Sequence, residues 1–147
     1  MLRLGEILRS DFAEEVEICA PNLGWWRTWG KFAPLKREVE RYAQALLDRY
    51  PSATADIIGH SMGGLIWLEI LADQPEWWGR VRSLVLLGCP VGGSDLARMF
   101  DPWGWLPLIA KDLGKDRRQI ASEIARHIPT LAIAGMNIYL GRWMPFV

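Results

Sequence analysis

Two apolar strand-like segments flank an apolar helical one, and this succession constrains the chain more than any other feature. Residues 55–59 and 81–88 read as strands; the second (VRSLVLLG) is a continuous apolar run, suited to a parallel strand covered on both faces. Between them Met62–Ala72 is apolar on nearly every side and reads as a buried helix, stopped by Gln74-Pro75. Strand, helix and strand at this spacing close as a right-handed crossover between parallel neighbours. The flanking chain extends the pattern. Leu4, Ile7, Leu8 and Phe12 share one helical stripe, and Val16, Ile18 and Ala20 alternate with Glu15, Glu17 and Cys19 as a short strand ending at Pro21-Asn22. Residues 35–50 read as a helix whose stripe is Val39, Tyr42, Ala43, Leu46, Leu47 and Tyr50. Residues 95–128 read as mostly helical, interrupted by Pro102, Gly104, Pro107 and Gly114, and residues 130–134 as a last strand. The expected fold is α/β: one domain over residues 1–147, a mostly parallel sheet with helices on both faces.

Composition narrows the function. The 147 residues carry 17 basic and 17 acidic side chains, and half of them are hydrophobic. That balance fits a globular domain and leaves no basic footprint for nucleic acid. No run approaches the roughly 20 apolar residues of an integral membrane segment. Cys19 and Cys89 are too few for a disulfide framework or a zinc site and read as buried free thiols. With Arg3, Glu6, Arg9 and Asp11 breaking up residues 1–12, no secretory signal is read, and a cytoplasmic setting is expected. Nothing in the pattern calls for a metal or a cofactor.

The joint between the first apolar strand and the helix carries the chemistry. Gly59-His60-Ser61-Met62-Gly63, followed by Gly64, matches G-x-S-x-G. The spacing suits a tight strand-to-helix turn that lifts the serine hydroxyl clear of the sheet. Gly59 and Gly63 are expected to remove the Cβ atoms that would clash there. The backbone N–H of Met62, at the positive end of the helix, is placed to donate to a developing oxyanion. The competing reading makes Ser61 a mere helix N-cap in a glycine turn.

These residues resemble the α/β-hydrolase family, in its lipase/esterase-like branch. Residues 56–64 (DIIGHSMGG) look like the family's elbow strand, elbow and helix. Gln74-Pro75-Glu76 and residues 81–88 resemble its next crossover and strand, and Cys89-Pro90-Val91-Gly92-Gly93-Ser94 the turn after that strand. Residues 18–23 and 128–135 are similar to flanking strands. The resemblance covers roughly residues 1–135. It implies a serine acyl hydrolase acting on a small-molecule ester or lipid: Ser61 attacks the carbonyl, an acyl-enzyme forms and water releases the acid. It also implies that Trp103 and Trp105 fall in a cap-like segment over the serine, where apolar side chains would hold an acyl chain; aromatic packing is the other reading.

The chain departs from the family in three places. The family's His-Gly loop, source of the second oxyanion donor, lies upstream of the opening helix and has no counterpart. No carboxylate follows the last strand from Met136 to Val147, where the triad acid usually stands; Asp95 is the substitute that some lipases suggest, or else an N-cap neighbour. The only histidines are His60, inside the motif, and His127, which precedes the last strand and reads mainly as a helix end. The sequence therefore reads as truncated at both ends and of little or no activity. Two other readings stand beside the hydrolase: a non-catalytic remnant or interaction protein, and an acyltransferase that passes the acyl group to an alcohol.

Overall fold

The computed structural model describes residues 7, 16–21, 32–93 and 115–133. Their centre is a parallel three-stranded sheet in the order β1 (Ala55–His60), β2 (Val81–Leu87), β3 (Thr130–Ile133). β1 and β2 pair from Asp56↔Ser83 to His60↔Leu87, with a register shift beside Ala55. β2 and β3 pair from Leu84↔Thr130 to Leu87↔Ile133. Parallel pairing of consecutive strands requires a crossover, and the apolar helix between β1 and β2 supplies it.

Among the described residues, α1 (Phe32–Arg49), α2 (Met62–Ala72) and α3 (Arg118–Ala125) accompany the sheet, with a 3₁₀ turn over Trp78–Arg80. α2 packs on β1 and β2, while α1 and α3 pack on α2. That explains why α2 lacks a polar face: Leu65, Ile66, Leu68, Ile70 and Leu71 are all fully buried. With Ile57, Leu84, Leu86, Ile124 and Ile128 they make the core. By strand alternation, Ile58, Val85, Leu87, Leu131 and Ile133 share the other face. Among the described residues none of these five is buried, and Leu131 and Ile133 are about half exposed. The sequence reading expects helices on both faces, and none is seen on this second face among the described residues.

Several sequence expectations shift. α1 begins at Phe32 rather than residue 35, with Pro34 in the first turn, where a missing N–H costs nothing. Its buried stripe is Phe32, Leu35, Val39 and Leu47; Tyr42 is half exposed. Residues 16–20, expected as a strand, are not part of the sheet. A strand needs a neighbour, and the resemblance puts another strand between this segment and β1; none of the described residues fills that place. Arg80 ties the elements together. Its guanidinium donates to the carbonyls of Leu47 (3.1 Å), Tyr50 and Ala53 (2.9 Å), at the end of α1 and just past it.

Candidate functional site

β1 runs straight into α2 through Ser61, and the joint is strained. Ser61 has φ 51° and ψ −124°, the conformation of the first central residue of a type II′ turn, which normally demands glycine. A serine held there costs on the order of 1–3 kcal/mol. Its own N–H donates to Leu87 O at 2.9 Å, which continues the β1–β2 ladder one residue past the strand. The Ser61 carbonyl accepts from Gly64 N at 3.1 Å. Ser61 does stand at the N-cap position of α2, but its side chain is exposed and makes no capping hydrogen bond to the helix. Met62 is the first residue of α2, where backbone N–H groups have no partner within the helix.

The glycines work differently from the sequence expectation. A Cβ on Gly59 would lie 2.5 Å from Gly64 Cα and 2.9 Å from Gly64 N. Backbone meets backbone there, so nothing can yield. A Cβ on Gly64 would lie 2.7 Å from Cys89 Sγ and 3.1 Å from Leu86 Cδ2. A Cβ on Gly63 meets nothing within 4 Å. The indispensable pair is therefore Gly59 and Gly64, and the expected role of Gly63 is not found. The doubled glycine of the sequence was the only hint of this.

Behind the elbow the chain leaves β2 through Gly88 (φ 54°) and turns at residues 89–93, with Gly93 at φ 89°. Cys89 is half-buried under Gly64, and burial pushes its thiol up to about 11. Cys19 is also a free thiol; burial raises it, against a hydrogen bond with Tyr42.

One residue with no sequence signal stands out. Arg117, inside the charge run Lys115-Asp116-Arg117-Arg118, is 2% exposed, the one buried charged side chain among the described residues. Its Nε donates to Glu69 of α2 at 2.7 Å, and its guanidinium lies 5.3 Å from the Phe32 ring centre. Its backbone N–H donates to Val91 O at 2.7 Å. A run of four charges looks like solvated surface; only the tertiary partner sets Arg117 apart.

The two histidines part company. His60 ends β1, exposed, next to Ser61. His127 lies past α3 and is exposed; its Nε2 is 3.6 Å from Glu123, and its ring is edge-on to Trp78 at 6.3 Å. It precedes the start of β3, which pairs with Leu84, whereas Ser61 follows the strand end that pairs with Leu87. The ends differ by three residues of β2 alone, about 10 Å. His127 is therefore at the wrong end of the sheet to be a base for Ser61. Trp67 and Trp77 pack edge to face at 6.4 Å, and Trp77 is buried with its Nε1 lacking an acceptor. Trp103, Trp105 and Asp95 lie outside the described residues. Among the described residues no group of three metal-ligating side chains occurs, and no helix is long and apolar enough to cross a membrane.

The parallel sheet and its helices are an α/β arrangement, consistent with a partial α/β-hydrolase fold. The chain is 37% identical over 83 residues to a homoserine O-acetyltransferase of Thermus thermophilus, over 55% of this chain and 20% of that protein. It is 38% identical over 77 residues to the protein of the same name from a second strain of that organism, over 51% of this chain and 20% of that protein. The aligned part is thus about a fifth of the length of these relatives. No family model matches the chain.

Proposed function

We propose that Ser61 is the nucleophile of an acyl-transfer reaction. The observation that carries this reading is an exposed serine held at φ 51° whose side chain makes no capping hydrogen bond to α2. In the reaction Ser61 Oγ attacks an acyl carbonyl and gives up its proton to a base. The carbonyl oxygen becomes an oxyanion, to which the Met62 N–H donates. The leaving group departs with a proton, and an acyl-serine remains. An acceptor hydroxyl then attacks the acyl carbon, loses its proton and regenerates Ser61. Water as acceptor makes a hydrolase of the esterase or lipase type, on a small-molecule ester. An alcohol makes an acyltransferase, the reading favoured by relatives named as O-acetyltransferases.

Among the described residues no base is hydrogen-bonded to Ser61, and a serine hydroxyl alone is a poor nucleophile. Turnover by these 147 residues is therefore expected to be weak. Chemical labelling is a better test. A fluorophosphonate probe is expected to form an adduct on Ser61, located by mass spectrometry, and none in Ser61→Ala. A folded wild-type sample that takes no label would favour a non-catalytic interaction protein. Products formed from an activated ester with and without an added alcohol separate hydrolase from transferase.

A further inference from the structure

The elbow is strained, so something must hold it from behind. Two bodies press on it: α2, which starts at Met62, and the turn after β2, whose Cys89 sulfur packs on Gly64. Arg117 belongs to neither and grips both. Its side chain holds Glu69 of α2, two helical turns past Ser61, and its backbone N–H holds Val91, two residues after Cys89. The guanidinium is also stacked near Phe32 at the start of α1, which leaves it little freedom to move. We propose that Arg117 is a positioning residue for Ser61: it locks α2 to the 89–93 turn and so keeps the bend from relaxing. This rests on the reading of Ser61 as the nucleophile.

Arg117 is buried and Glu69 partly exposed; apolar side chains of similar volume can often replace an ion pair taken out of water with little loss of stability. That separates positioning from mere packing. The variant Arg117→Met/Glu69→Leu keeps the volume and removes the directional tie. Its urea midpoint is expected to stay close to that of the wild type. The Ser61 amide, bonded to Leu87 O, is expected to exchange its hydrogen at least roughly tenfold faster, while core amides of α2 such as Leu68 stay protected. Fluorophosphonate labelling of Ser61 is expected to slow in parallel. Unchanged exchange at Ser61 in a folded double variant would overturn the proposal. If the double variant does not fold, Arg117→Lys decides: it keeps the charge and loses the fork geometry, and exchange at Ser61 faster than in the wild type, with Leu68 unchanged, is again required. Exchange is read on unreacted protein, so it judges the role of Arg117 even if the wild type takes no label, a result that would count against the nucleophile instead.

Discussion

At the scale of single residues, the elbow is decided by contacts shorter than side chains can tolerate. Gly59→Ala sets a methyl against the Gly64 backbone, and we expect it to abolish cooperative folding or to cost about 3 kcal/mol or more, seen as a lower urea midpoint. Gly63→Ala enters open space within a helix and is expected to add about 0.5–1 kcal/mol in the same assay. The contrast within one motif is the test, because sequence reasoning assigns both glycines the same role. Cys89 gives a second check. With its thiol raised from 9.0 to about 11 by burial, it should hold roughly 100-fold less thiolate at neutral pH than an unfolded cysteine. Iodoacetamide is accordingly expected to alkylate it about that much more slowly in folded protein than in urea. The serine was legible in the sequence because its motif has fixed spacing. Gly64 and Arg117 were not, since each matters through a neighbour distant along the chain.

At the scale of elements, periodicity was a good guide wherever a segment's burial follows from its own pattern. α2 has the bounds read from the sequence, and β1, β2 and β3 begin where expected. Residues 16–20 alternate as a strand should, yet alternation gives only a preference for one face; the ladder needs a partner that the segment cannot specify. Tyr42 failed for a related reason, as the stripe of α1 is wider than the line of contact with α2. The link from α1 to the sheet runs through Arg80, which no local pattern marks. Charged hydrogen bonds are worth about 1.5–3 kcal/mol each when buried, and Arg80 is partly exposed. Arg80→Met is therefore expected to cost about 1–3 kcal/mol and to speed hydrogen exchange at the last turn of α1 ahead of its centre.

At the scale of the whole molecule, the described helices gather on one side of the sheet around α2, and the strands are tied across their exposed start by Asp56. This carboxylate accepts from Arg82 and from Ser83 Oγ at 2.6 Å, and the hydrogen bond from Arg82 holds it below its usual range. A carboxylate lowered in the folded state favours folding above its unfolded value near 3.8, and that contribution disappears as pH falls through the folded value. The stability gap between wild type and Asp56→Asn should thus be open at neutral pH and narrow as pH falls below 3.8; a gap independent of pH would refute this account. Ser61 works against the molecule's own stability. Glycine at that position would adopt the same bend freely, so Ser61→Gly is expected to raise the melting temperature while ending all labelling there. Keeping a hydroxyl at this bend therefore requires selection to act against the drift toward a sturdier protein, and a lineage that had ceased to use it would be free to let glycine take its place.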